Sequence, residues 1–478
     1  MKTRHILFVL LTFWASSVVG QTLEEARKLY NEGRYAEAKA TMTKYYKSQP
    51  GNANYGLWYG VCCLFTGEPE KAVKPLEQAV KRRVTGGRLY LGQAYEALYR
   101  YADAVETYED YRADLERLKK PTEVADSLLV RSRLGLKLLK GVEQVCVVDS
   151  IVVGKAEFLR AYRLSPEVGQ LHDRASYLSD GQELEGTVYE TEMGNRIYYA
   201  STGADGRVSL HASDRTPDGW GESHELPGLE EAVAGVGANY PYVMADGITL
   251  YYSAEGAGSV GGRDIFVTRY HAGRGSYLTP ENAGMPFNSP ANDYLLVIDE
   301  YAGLGWWASD RCQPADSVCI YLFIPQRSKQ VYNYESTDPA LLRQLAGLHS
   351  IGQTWSDASA VADARARRDA LEGAVAEERG GGGGEFEFVV SDERVYTTLS
   401  DFRSSRALEA FREYLQLEAA HSQKAEALSR QREAYADATD EERRQWAPAM
   451  ADSERQLRQL RQQMDAKAQE VRQLELQE

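Results

Sequence analysis

Histidine is scarce in this chain, seven in 478 residues, and neither His-Glu-x-x-His nor Cys-x-x-Cys occurs, so the ligand spacings that build zinc sites are missing. No Gly-x-Ser-x-Gly elbow is present, which removes the strand-turn-helix nucleophile of the α/β-hydrolases. Gly154-Lys155 is followed by alanine and lacks a leading glycine, so it is not a phosphate loop. The sequence therefore assigns no catalytic residue, no cofactor-binding residue and no metal ligand. Basic residues are the minority: 55 Lys and Arg against 70 Asp and Glu leave a formal net charge of −15. That balance argues against a nucleic-acid partner, which demands a basic face.

Cysteine is also sparse, with five residues. Cys312 and Cys319 flank the turn Gln313-Pro314-Ala315-Asp316-Ser317; strands paired across it would bring the thiols within bridging distance, so they are a candidate disulfide, two buried thiols being the alternative. Cys62, Cys63 and Cys146 lie in apolar patterns and read as small core residues. At the N-terminus Lys2 and Arg4 precede the apolar run Ile6 to Trp14 and the small residues Ala15 to Gly20. This is the order of a secretory signal over 1–20, with cleavage expected near Gly20, and its apolar core of about ten residues is too short to span a bilayer. No cysteine stands at the junction and no later run is apolar enough to span. The expectation is an exported protein without a membrane span, periplasmic or peripheral to the outer membrane.

What the chain has is repetition. Over 21–120 the segments Ala26-x-x-Leu29-Tyr30-x-x-Gly33-x-Tyr35-x-x-Ala38, Trp58-x-Gly60-x-x-Cys63 continuing to Ala72, Leu76 and Ala79, and Leu91-Gly92-x-x-Tyr95 continuing to Tyr101, Ala104 and Tyr108 recur at about 34 residues and resemble tetratricopeptide repeats. Such an α-solenoid offers a groove for peptides or proteins. The stretch 121–185 reads as a connector. It holds a helix from Pro121 to about Lys140, stopped by Gly141, a strand over Val145 to Val153 expected to join the first sheet as an outer strand, and a short helix over Lys155 to Leu164.

A second repetition follows. Ile197-Tyr198-Tyr199-Ala200-Ser201 with Val208-Ser209-Leu210, then Asp246-Gly247-x-x-Leu250-Tyr251-Tyr252-Ser253 with Asp264-Ile265-Phe266, then Gly305-Trp306-Trp307-Ala308-Ser309 with Val318-Cys319-Ile320-Tyr321 are aromatic and β-branched runs divided by glycine turns. Their period is roughly 53–55 residues, as in propeller arrays. Arg394-Val395-Tyr396 to Phe402 reads as a fourth copy beyond a helical insertion. Together with Phe287-Asn288-Ser289 these residues resemble the WD-like, TolB-type propeller repeats of Gram-negative envelope proteins. In that family they occur fused to tetratricopeptide repeats and sometimes to a peptidoglycan-binding OmpA-type domain, which is lacking here. The resemblance implies a β-propeller of about four to five blades, closed or open, over 186–335 with strands returning at 385–402. Asp264, Asp310 and Arg311 are candidates for lining a charged channel, while the resemblance implies that they tie neighbouring strands together through hydrogen bonds. Of Trp306 and Trp307, adjacent on a strand and so facing opposite sides, one is a candidate partner or ligand contact and the other core. The Asp205-Gly206 and Asp246-Gly247 pairs read as turns rather than calcium ligands.

The remaining segments read as a helical insertion and glycine link over 336–384 and a helical hairpin or coiled coil over 403–478, where Leu457, Leu460, Met464, Val471 and Leu474 fall on a three-four spacing. The coiled coil is a candidate for self-association. The fold class is multidomain, α plus all-β. Three functions are compatible with it: a non-enzymatic envelope scaffold binding protein partners, such as the type IX secretion apparatus suggested by the resemblance; a glycan- or peptide-binding propeller; and a propeller-based hydrolase.

Overall fold

The computed structural model describes residues 21–178, 180–229, 236–256, 258–379, 386, 388–391, 394–396, 398–437 and 440–476. The expected signal segment 1–20 and the Gly380–Gly384 link lie outside them. The described chain has a helical N-terminal region, a multi-sheet antiparallel β region and C-terminal helices.

Seven helices open it: α1 (Leu23–Asn31), α2 (Tyr35–Ser48), α3 (Ala53–Leu64), α4 (Pro69–Lys81), α5 (Gly87–Ala97), α6 (Tyr101–Arg117) and α7 (Glu123–Leu139). Their starts are written locally. Thr22 and Glu25 form a reciprocal capping box on α1, Asn52 accepts from the amides of Asn54 and Tyr55 at the head of α3, and Pro69 opens α4 where its missing N–H costs nothing. Gly33 and Gly67 end turns at φ +77° and +76°, a conformation that favours glycine. Each helix packs against the next, burying Leu57, Val61, Leu76, Ala79, Leu91, Ala94 and Tyr108 in one core. Glycine sets the spacing: a Cβ on Gly92 would lie 2.2 Å from the Tyr108 ring, and one on Gly135 2.3 Å from the Tyr101 ring. Buried Glu96 accepts from Arg131 Nη2 (2.6 Å), Ser132 Oγ (2.6 Å) and the Tyr108 hydroxyl (3.1 Å), fastening α7 to α5 and α6.

The β region holds three antiparallel sheets. Strand β1 (Cys146–Gly154) leaves the helices. The first sheet then forms from β2 (Gln170–Asp173), which leads into the single turn α8 (Arg174–Tyr177), β3 (Thr187–Glu190), β4 (Arg196–Thr202), β5 (Val208–Thr216), β6 (Gly219–Trp220) and β7 (His224–Glu225). The second takes β8 (Val236–Val243), β9 (Thr249–Glu255), β10 (Asp264–His271), β11 (Ser276–Tyr277) and β12 (Glu281–Asn282). The third takes β13 (Asp293–Asp299), β14 (Leu304–Ser309) and β15 (Ser317–Ile324), with β1 beside β15. In each, three consecutive strands form a meander and a further strand pairs with the last of them: β7 with β5, β12 with β10, β1 with β15. The outer strand expected on the first sheet therefore completes the third. It runs antiparallel from Cys146 opposite Ile324 to Gly154 opposite Ser317. Tyr189, Tyr198, Tyr242, Leu250, Leu295, Trp306 and Ile320 join all three sheets in one core. All six residues of β14 are buried, so the central strand of the third sheet is covered on both faces.

After the sheets come α9 (Pro339–Gly347), which packs Leu342 and Leu345 against Tyr99, Tyr101 and Met285 where helices meet sheets, and α10 (Ala358–Arg379), whose Val361 and Ala364 enter the sheet core. The supposed fourth copy is a different object. Strands β16 (Phe388–Ser391) and β17 (Arg394–Tyr396) pair only with each other among the described residues, and Leu399–Asp401 is a 3-10 turn. Phe388, Val390 and Tyr396 bury against Ala407, Phe411 and Val471 of the long helices α11 (Ser405–Asp437) and α12 (Asp440–Leu476). The same aromatic pattern that makes a sheet strand elsewhere makes a hairpin here because its apolar face finds helices instead. Buried Glu475 accepts from the Tyr396 hydroxyl (2.8 Å) and the Ser404 amide (2.9 Å), closing this unit end to end. Helix α12 runs through Pro448.

The close approach of α5 and α6 is testable. Gly92→Val places methyls inside the Tyr108 ring, and overpacking of this kind costs about 1–3 kcal/mol. The urea midpoint is expected to fall with the m-value unchanged.

Candidate functional site

Two places concentrate polar chemistry. The first is the buried seam between the helices and the second and third sheets. Asp264, the first residue of β10, accepts from the Val260 amide (2.9 Å), the Gly261 amide (3.0 Å) and Asn282 Nδ2 (2.7 Å). Asn288 straps the same strand by bonding both the N–H (2.7 Å) and the C=O (2.8 Å) of Ile265. Asp293 is fully buried and pairs with Arg311 Nη2 at 2.8 Å, and Arg311 also donates to Ser309 Oγ (2.9 Å) and the Phe287 carbonyl (2.8 Å). Asp310 accepts from Asn292, Tyr294 and Lys155, the last at 3.0 Å. The bonding role expected of Asp264, Asp310 and Arg311 matches this geometry. Burial, then the charge of Asp293, pushes the Asp264 carboxyl up to about 7. Burial also raises Asp293, against the pull of Arg311. Tyr99, at the α5–α6 turn, is buried within the field of the same groups.

The second is a cleft of about 400 Å³ on one face of the third sheet. Its floor is Trp306, Ile320 and Leu322, and β1 forms one wall with Asp149, Ser150, Ile151 and Val153. Register explains the grouping: Asp149 stands opposite Leu322 and Leu322 opposite Trp306, so the three share a face. Arg160 comes from the 3-10 segment after β1 (Lys155–Ala161), Arg163 from the loop that follows it, Arg368 from α10 and Arg461 from α12. Four guanidiniums thus meet three carboxylates, Asp149 and Glu157 in the lining and Asp369 paired with Arg368, a cationic surplus on a chain of net charge −15. Asp149 pairs with Arg368, while Glu157 lies 3.5 Å from both Arg160 and Arg461. Arg163 has no hydrogen-bond or ion-pair partner among the described residues.

The two tryptophans obey the alternation but not the exposed role. Trp307 is fully buried among Phe287, Tyr321 and Phe323, with ring centroids 4.8–5.3 Å away. Trp306 is 3% exposed at the base of the cleft. Neither presents a ring face for a sugar to stack on. Cys312 and Cys319 are both free thiols, Cys312 exposed and Cys319 buried, so neither the candidate disulfide nor the alternative pair of buried thiols is formed. Cys319 stands opposite Ser309 in the ladder, and Cys312 lies beyond the end of β14 in a turn at φ +58°. Cys62 and Cys63 are buried and Cys146 half-buried, all unpaired. Asp205 and Asp246 cap their own turns, Asp246 Oδ1 accepting from the amides of Ile248 (2.9 Å) and Thr249 (2.8 Å). Among the described residues no group of His, Cys, Asp or Glu is placed to hold a metal ion. Both ring nitrogens of His211 meet serines, Ser209 at 3.2 Å and Ser223 at 2.9 Å, so no carboxylate orients the ring as a triad requires. Sequence reading missed the four cleft arginines, which come from three separate segments and share no motif.

Comparison with family models, with curated proteins and with solved structures returns no match.

Two outcomes are expected at the seam. A carboxyl whose folded pKa is raised binds its proton more tightly folded than unfolded. The stability it lends is full below its ordinary value of 3.8 and is lost as pH rises through about 7. Thermal melts from pH 5 to pH 8 should therefore show a shallower fall for Asp264→Asn than for the wild type. Arg311→Met strands Asp293 without a counter-charge, and breaking such a buried pair costs about 3–5 kcal/mol by chemical denaturation.

Proposed function

We propose that the chain is a non-enzymatic scaffold of a Gram-negative cell envelope, exported and then periplasmic or peripheral to the outer membrane. In this reading α1–α6 are three tetratricopeptide repeats with α7 closing the stack, and the three sheets are propeller-type blades in a short array. The observation that carries it is the stack itself: six helices in three antiparallel pairs on the spacing of that repeat, with glycines at the closest approaches. Stacks of this kind present an extended surface for protein partners. The α11–α12 hairpin adds a third element suited to association, either with a second copy or with another component.

The glycan-binding alternative draws no support from Trp306 and Trp307, both buried. The cleft keeps peptide binding open as a role for the β region.

The test is cross-linking in intact cells followed by identification of the captured proteins, with the full-length chain and with 21–120 removed. The scaffold reading expects discrete envelope proteins captured by the full chain and at least one lost on deletion. Capture of none, or turnover of an envelope polymer by the purified protein, overturns it.

A further inference from the structure

We propose that the outer edge of β1, at Ile151 to Val153, takes an acidic extended peptide as an added strand, with apolar side chains entering the cleft over Trp306. This rests on the scaffold reading and names one docking surface and its partner chemistry. Strand β1 ends its sheet: β15 pairs on one side, and among the described residues no strand pairs on the other. The first half of that edge is closed by the chain. Thr354 Oγ1 accepts from the Val147 amide (3.0 Å), Trp355 Nε1 donates to the Val147 carbonyl (2.7 Å) and Arg365 to the Val148 carbonyl (3.3 Å).

The second half is not closed. Among the described residues, Ile151 to Val153 make no backbone hydrogen bond outside their pairing with β15, and Ile151 and Val152 are 55% and 53% exposed. Natural edges are usually blunted by lysine, proline or a covering element. Here two β-branched apolar side chains stand on the open stretch, the arrangement that strand addition uses.

Charge selects the occupant. A strand laid on this edge directs alternate side chains to the face that carries Asp149, Ile151 and Val153, which is the cleft face. There it meets the apolar floor and the guanidiniums of Arg160, Arg163, Arg368 and Arg461, whose planar forks suit separated carboxylates. A phospholipid headgroup concentrates its charge at one point, and a neutral glycan supplies none.

The probe is a set of short fluorescein-labelled peptides alternating Glu or Asp with Leu or Val, titrated into the full chain by anisotropy. Counterparts carry Lys for the acids or N-methyl groups on alternate amides. Acidic peptides should bind, weaken with salt, and lose about tenfold or more in affinity on Arg160→Glu with Arg163→Glu. The N-methylated peptides should not bind. Equal binding of acidic and lysine peptides, no binding of any acidic peptide, saturation by octanoate or inorganic phosphate alone, or an Arg variant that binds as the wild type overturns the proposal. A photo-cross-linker placed in cells at Val152 or at Lys28 separates the two readings. Silence at Val152 with capture at Lys28 overturns the edge alone, and silence at both overturns the scaffold.

Discussion

The pairing of β1 with β15 is the constraint on which the architecture turns. It carries the chain from the last helix of the stack onto the last of the three sheets, across some 170 residues of sequence. It places β1 where β7 and β12 stand in the other sheets. Without it the third sheet would lose an outer strand, and the polar seam would lose the Lys155–Asp310 contact that follows directly from β1. The loop-closure entropy of so long a connection grows only logarithmically with its length. A ladder of eight residue pairs therefore has a modest extra cost to overcome.

Between helices and sheets, the seam joins apolar packing to buried charge. Tyr99 and Tyr101 lie against Val260, Met285 and α9, while Asp264, Asp293 and Arg311 sit beside them almost out of solvent. Buried pairs contribute little net stability compared with apolar replacements, but removing one partner is expensive. The seam thus favours one seating of the stack on the sheets over others, because most shifts would leave a carboxylate without its donors.

The features legible in the sequence were local ones. The repeated small-residue and aromatic spacing over 21–120 marked the paired helices, and the expected helix from Pro121 corresponds to α7. The recurring aromatic strands marked three sheets, and the bonding role of Asp264, Asp310 and Arg311 was what the family resemblance implied. What failed was choice of neighbour. Arg394 to Phe402 carries the strand signal, yet whether its apolar face meets a sheet or a helix pair is set by what folds beside it, here α11 directly after it and the far end of α12. Cys312 and Cys319 flank one turn, but ladder register pairs Cys319 with Ser309. The cleft was invisible because Arg160, Arg368 and Arg461 are neighbours only after folding.

One feature of the third sheet reaches back to how the molecule is made. Strand β1 emerges from the ribosome long before β15, and if the chain crosses a membrane first it also arrives on the far side first. Until residue 324 appears, nothing on the protein can satisfy the inner edge of β1, so the last sheet must wait while the helices and the earlier sheets form. Pairings this distant in sequence form slowly. Assembly of this body is thereby timed by its C-terminal half, and a nascent chain stopped short of β15 carries an unmatched strand in its middle.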